Sequence, residues 1–282
     1  MKCMRALALL VAICCACGAA AQTQTYGDEV FKPSMGQPGK DVIWIPTPDA
    51  LITAMLTAAK VTKDDIVFDL GAGDGRIPIA AARQFGARAT GIEFNADMAD
   101  LARRNARRAN LENLVNIITG DIFKEDFSRA TVVTMYLLPD LNLKLRPLIL
   151  KMKPGTRVVS HAFHMGDWDP DERLNADSRD AYLWIVPASV EGTWSFEEDN
   201  GGQSRGTVSF TQRYQRIGGT VTMGNRTQPL LSPTLRGDQL AFSYVDTDNT
   251  LRSARVTVAG SQFKGDLSMH GRGGGVTGTR RP

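Results

Sequence analysis

Between Ile66 and Ser160, short apolar runs alternate with helical stretches, and this alternation restricts the fold more than any other feature of the chain. Ile66–Leu70, Ala87–Glu93, Val115–Gly120, Thr131–Leu138 and Thr156–Ser160 read as strands. Ile77–Gln84, Ala96–Ala109 and Leu141–Met152 read as helices, the last bent by Pro147. Strands joined through helices require right-handed crossovers, so the expected architecture is an α/β domain with a doubly wound, mostly parallel sheet. After about Pro187 the pattern changes. VEGTWSFEE, RGTVSFTQRY, GGTVTMGN, DQLAFSYVD, SARVTVAG and SQFKGDLSMHG are short alternating segments broken by Gly, Asn and Asp, and they predict a small antiparallel all-β barrel or sandwich. The expected division is an α/β domain over residues 41–187 and a β-rich domain over residues 188–282.

The residues ahead of the first strand have a different character. Lys2 and Arg5, the apolar stretch Ala6–Ala16 and then Ala19-Ala20-Ala21 follow the charged, apolar, small-residue order of a secretory signal, with cleavage expected after Ala21. The apolar stretch is short for a membrane span, and membrane association is expected only if this N-terminus is retained as an anchor. Cleavage would make the protein periplasmic or secreted. It would also remove all four cysteines (Cys3, Cys14, Cys15 and Cys17), and with them disulfides, thiolate metal sites and a cysteine nucleophile. Loss of Lys2 and Arg5 lowers the formal charge from +3 to +1, which gives no electrostatic case for nucleic acid. Residues 22–40, polar with two prolines and three glycines, read as a linker or arm.

The stretch VFDLGAGDGR, residues 67–76, is the main chemical signal. A glycine-rich turn after a first strand brings backbone close to a ligand at a helix N-terminus. A dinucleotide fingerprint, G-x-G-x-x-G/A, requires a small residue where this chain has Arg76, and the extra glycine comes one residue early, at Gly75. Asp69, two residues ahead of Gly71, would repel a pyrophosphate and attract an ammonium. Glu93 closes the second strand, where an acid accepts hydrogen bonds from both ribose hydroxyls. Asp121 closes the third, where a carboxylate accepts from an adenine amino group while Ile122 packs on the ring. Ligands of open α/β sheets bind beyond the carboxyl ends of the strands, so the three acids should converge.

DLGAGDG, the acids in GIEF and GDIF, and the turn KPGTRVV together resemble the ordered motifs of the class I, Rossmann-like S-adenosylmethionine-dependent methyltransferases. That resemblance implies S-adenosyl-L-methionine as cofactor. Gly71 and Gly73 would contact its methionine part with Asp69 nearby, Glu93 its ribose, and Asp121 with Ile122 its adenine. WIPTP at residues 44–48 and the helix DALITAML are similar to the segment before the first strand in a protein-lysine methyltransferase subgroup, which includes the ATP synthase c-subunit enzymes. There the segment closes over the cofactor, which makes Thr47 a candidate contact and protein lysine a candidate acceptor. Tyr136 in MYLLP is the one candidate for a catalytic role, as a positioning residue at the rim, with plain aromatic packing as the competing reading. The alternative function is a non-catalytic, exported binding protein built on the same fold.

Two weaker features remain. His161 and His164 in SHAFHMGDWD raise the question of a metal, but residues three apart in extended chain face opposite ways, so no metal is expected and either acceptor contact or loop structure is left. Arg103, Arg104, Arg107 and Arg108 form i, i+4 pairs on the second helix and read as a solvated face.

Overall fold

The computed structural model describes residues 26–39, 43–198, 205–269 and 272–282. The signal-like leader and all four cysteines lie outside the described residues. Among the described residues, no helix is long and apolar enough to cross a membrane.

The first unit runs α1 (Asp49–Ala58), β1 (Ile66–Leu70), α2 (Arg76–Phe85), β2 (Arg88–Glu93), α3 (Ala96–Arg108), β3 (Val115–Thr119), β4 (Val132–Met135), α4 (Pro139–Ile149) and β5 (Arg157–His161). The strands lie in the order β3-β2-β1-β4-β5, all parallel. β1 and β4 are almost wholly buried, as expected of central strands covered on both faces. α3 keeps Met98, Ala99, Leu101, Ala102 and Ala106 inward, and its N-cap Asn95 accepts from the Met98 amide at 2.9 Å. Asp65, beside β1, is buried, and Arg157 of β5 donates to it and to the Ala59 carbonyl, tying the two strands at their amino ends.

Two features depart from the sequence reading. Tyr136–Leu138 is not strand, because Pro139 starts α4 at its first turn, where a missing amide is harmless. The sheet also gains an antiparallel hairpin, β6 (Glu172–Ala176) and β7 (Arg179–Ile185), with β7 paired to β5. Its two-residue turn, Asp177-Ser178, has φ of 52° and 56°. That is the primed geometry usually announced by Asn-Gly or Asp-Gly, which this turn lacks.

Among its described residues the second unit has nine strands, three more than the alternating segments indicate: β8 (Gly192–Glu198), β9 (Arg205–Arg213), β10 (Arg216–Met223), β11 (Arg226–Pro229), β12 (Leu231–Arg236), β13 (Gln239–Val245), β14 (Leu251–Ala259), β15 (Gln262–Met269) and β16 (Arg272–Arg280). They form an up-and-down meander whose first strand pairs with its last, β8 with β16, so that the sheet rolls around one core that includes Trp194, Phe210, Phe242, Tyr244 and Phe263. β11 and β12 contain Pro229 and Pro233 and little apolar residue, and β16 is glycine-rich, so none shows the strand alternation. Gly278 has a packing reason: a β-carbon there would overlap the Phe263 ring.

The tip of the β9–β10 hairpin locks onto the loop after β5. Asp167 of that loop accepts from Arg146 of α4 at 2.5 Å, from Arg213 at 2.6 Å and from the Tyr214 hydroxyl at 3.2 Å. Trp168 is buried, stacks on Tyr214 and donates to Gln215 at 2.9 Å. Because Gly278 leaves no room for a side chain, Gly278→Val should destabilise the second unit by about 1–3 kcal/mol, seen as a lower urea midpoint; an unchanged midpoint would contradict the packing described.

Candidate functional site

From β1 the chain winds one way through β2 and β3, and it then returns to the other side of β1 to make β4. The crossovers therefore part between β1 and β4, and a crevice opens at the carboxyl ends of the strands. There the protein has a cavity of about 300 Å³. Thr47, Asp69, Gly71, Gly73, Glu93, Asp121, Ile122 and Tyr136 all line it.

The loop after β1 forms one side. Gly73 (φ 54°) and Gly75 (φ 81°) occupy the left-handed region that side chains resist. A β-carbon on Gly73 would stand 2.8 Å from Trp44 Nε1, and one on Gly75 would stand 2.9 Å from Ala102 Cβ. Gly75 thus lets α2 meet α3 closely, which is the task of the third small residue in a dinucleotide fingerprint, done one position early.

Asp69 is 2% exposed, and Thr134 Oγ1 donates to its Oδ1 at 2.7 Å. Burial, with lesser repulsion from Glu93 and Asp74, raises its pKa to about 7 against the opposing Thr134 bond. Glu93 braces the glycine loop: one carboxylate oxygen accepts from the Gly73 amide at 2.8 Å, the other from the Asn95 amide at 2.9 Å. Burial raises its pKa despite these bonds. Asp121 Oδ1 accepts from the Phe123 amide at 3.0 Å, which fixes the turn that presents Ile122.

The opposite side is the segment ahead of α1. Arg76 holds Asp74 through two hydrogen bonds (3.0 and 2.6 Å) and donates to the Thr47 carbonyl at 3.1 Å. The residue that breaks the dinucleotide pattern is therefore a clasp between the glycine loop and the WIPTP segment. Its guanidinium also lies over the Tyr26 ring, 5.0 Å from the centroid, and Tyr26 meets Trp44 edge-on at 5.3 Å. Asp28 accepts from Arg104 and Arg108, and the Arg104 bond holds its carboxyl well below the usual carboxylate range. The arm is thus packed on the domain, and two of the four helix-α3 arginines serve it. Arg103 instead donates to the Ile117 carbonyl and to Thr119.

The rim beyond Asp69 is aromatic and apolar. Tyr136, Leu137, Leu138, Leu141 and Phe163 line it, and Phe94 at the mouth is 52% exposed. Tyr136 packs against His161 (3.8 Å between centroids) and stacks with Phe163 (6.1 Å). Ala162 has φ of 63°, rare for a residue with a β-carbon, and this kink stops β5 and turns Phe163 to the cavity. His161 and His164 have separate partners, although the chain between them is not extended, being kinked at Ala162. His161 bonds Thr47 while His164 lies against Tyr182 at 3.9 Å. Among the described residues, no group of three or more His, Cys, Asp or Glu gathers to hold a metal ion. Arg76, His161 and Phe163 were not singled out by sequence reasoning for the parts they take in this site: Arg76 pairs locally with Asp74, but nothing in the sequence announces a contact between residues 47 and 161.

A cavity lined by four buried or half-buried acids, only one of which (Asp74) is paired to its one arginine, suits a cationic or zwitterionic ligand rather than a phosphate. The comparisons agree. The family model of the ANTKMT methyltransferase domain matches residues 69–172. The chain is 42% identical over 151 residues to a protein-lysine N-methyltransferase of Saccharolobus islandicus, covering 51% of this chain and 94% of that one. It is 30% identical over 137 residues to the ATP synthase c-subunit lysine N-methyltransferase of Xenopus laevis, covering 48% of this chain and 55% of the relative. A crystal structure described as an RNA methyltransferase from Salinibacter ruber, in complex with S-adenosyl-L-homocysteine, is 47% identical with a TM-score of 0.51, covering 52% of this chain and 96% of that one. The chain belongs to the class I S-adenosylmethionine-dependent methyltransferases, in their lysine N-methyltransferase subgroup. Its cofactor is S-adenosyl-L-methionine.

The raised pKa of Asp69 fixes a pH dependence. An ammonium pairs with the carboxylate but not with the protonated acid, so below about pH 7 binding must also expel a proton. The Kd for S-adenosylmethionine, measured by calorimetry, should be lowest near pH 7–8, rising by up to about tenfold per unit as pH falls below 7 and rising again at higher pH as the ligand's own α-amino group, of pKa about 8, loses its proton. Asp69→Asn should flatten that profile and weaken binding at pH 8 by roughly 10- to 100-fold. A wild-type Kd that does not change between pH 5 and 9 would remove Asp69 from the site.

Proposed function

We propose that this chain is a protein-lysine N-methyltransferase that transfers the methyl group of S-adenosylmethionine to the ε-amine of a lysine in another protein. The observation that carries the reading is the cavity itself, where Asp69, Glu93 and Asp121 gather at one end and the aromatic, apolar rim of Tyr136, Leu138 and Phe163 lies beyond them. The 42% identity to a protein-lysine enzyme, across 94% of that enzyme's length, supports the acceptor class. The relatives bear the names of enzymes, so the binding-only reading gains no support from them.

In this reading the cofactor supplies an electrophilic methyl on a sulfonium, and the protein's work is binding, orientation and exclusion of water. Asp69 takes the cofactor's ammonium. Glu93 keeps the lone pairs not used by Gly73 and Asn95 for the ribose hydroxyls. Asp121 and Ile122 hold the adenine, Gly71 and Gly73 the methionine backbone, and Thr47 the closing side. The rim desolvates an incoming lysine, which lowers its pKa and favours the neutral, nucleophilic amine. Tyr136 sets the lysine's angle of approach and acts by position.

The Salinibacter relative, as an RNA methyltransferase by description, raises RNA as a second acceptor. The acids of the cavity and the near-neutral charge without the leader argue against a polyanion. The leader-like order of residues 1–21 supports a periplasmic or secreted location, or membrane attachment if the leader is kept. Incubation of residues 22–282 with tritiated S-adenosylmethionine and extracts of envelope protein and of total RNA separates these readings. Label should appear in protein and run with methylated lysine after acid hydrolysis. Label confined to RNA, or absent from both fractions, would contradict the proposal.

A further inference from the structure

His161 is a buried imidazole, 1% exposed, at the carboxyl end of β5, outside the cavity lining. Its Nδ1 lies 3.0 Å from Thr47 Oγ1, a hydroxyl that is itself buried. Its ring packs on Tyr136 with centroids 3.8 Å apart and planes 30° apart, and Nε2 has no hydrogen-bond partner among the described residues. Thr47 is therefore gripped twice, by Arg76 at its carbonyl and by His161 at its hydroxyl. The next residue after His161, Ala162, holds the left-handed kink that turns Phe163 to the cavity.

Resting on the assignment of this cavity to S-adenosylmethionine, we propose that His161 is a positioning residue. Through Thr47 it fixes the segment that closes the cofactor side, and through its ring it fixes Tyr136 on the acceptor side. One side chain thus spans both halves of the site without touching either ligand. Its chemistry suits the place. Burial, reinforced by Arg179, lowers its pKa to about 4, so the imidazole stays neutral and adds no positive charge beside a cavity built for a cationic ligand.

The two contacts separate by substitution. His161→Phe keeps a ring against Tyr136 and loses the bond to Thr47. His161→Asn keeps a hydrogen-bonding atom near the Nδ1 position and loses the ring. Thr47→Val removes the same bond from the other side and leaves the Arg76 clasp in place. Binding of S-adenosylhomocysteine is measured by calorimetry on residues 22–282. H161F and T47V should each weaken it about fivefold, the size of one lost hydrogen bond. The double variant H161F/T47V should be no weaker than either single, because both remove one interaction. H161N should stay within about twofold of wild type. Wild-type affinity in either H161F or T47V, an additive double variant, or an H161N as weak as H161F would each overturn the positioning role. No binding by the wild-type protein would overturn the cofactor assignment first, and this inference with it. T47V keeps the test decisive should the His161 variants fail to fold.

Discussion

A carboxylate buried at the end of a central parallel strand is costly unless something compensates it, and the rest of this site is arranged around that cost at Asp69. Thr134, on the neighbouring strand β4, supplies one hydrogen bond, and the pKa near 7 records how incomplete the compensation is. In the proposed function a cationic ligand group completes it. The position is fixed by topology: β1 is central because its crossovers leave on one side toward β2 and return on the other at β4, and the crevice opens where they part. Glu93 and Asp121 reach the same crevice because Glu93 ends β2 and Asp121 lies just past the end of β3, the next two strands in winding order.

The cavity is closed by contacts made far from it in sequence. Glu93 pins Gly73, Trp44 packs where a β-carbon on Gly73 would sit, and Arg76 joins Asp74 to Thr47. Tyr26 and Asp28 then dock the arm on Arg76, Arg104 and Arg108. Beyond Phe163, Asp167 is shared between Arg146 of α4 and the tip of the β9–β10 hairpin. The second unit is therefore fastened to the loop that follows Phe163, so its strands support one wall of the cavity without lining it.

The sequence made the α/β grammar and the acids legible because both depend on local pattern: apolar runs of strand length, helices of matched length, and acids at successive strand ends. The identity of Asp69, rather than the glycines, distinguished an ammonium from a pyrophosphate as the group to expect. What stayed hidden depends on meetings in space or on unusual turns. Asp177-Ser178 forms a hairpin turn without the customary glycine, so the pairing of β6 with β7 carried no turn signal. β16 lacks apolar alternation, and its Gly278 makes room for Phe263. The helix-α3 arginines read as a solvated face, and only the docked arm reveals the work of Arg104 and Arg108. The Thr47–His161 bond spans 114 residues, which no periodicity reports.

The central claim is that one cavity at the β1–β4 switch point binds S-adenosylmethionine through Asp69, Glu93 and Asp121. A crystal structure of the complex with S-adenosylhomocysteine tests it most directly. The account predicts the amino group within hydrogen-bond distance of Asp69, the ribose hydroxyls on Glu93, and the adenine between Asp121 and Ile122. A ligand bound elsewhere, or seated here with its amino group turned away from Asp69, would contradict it.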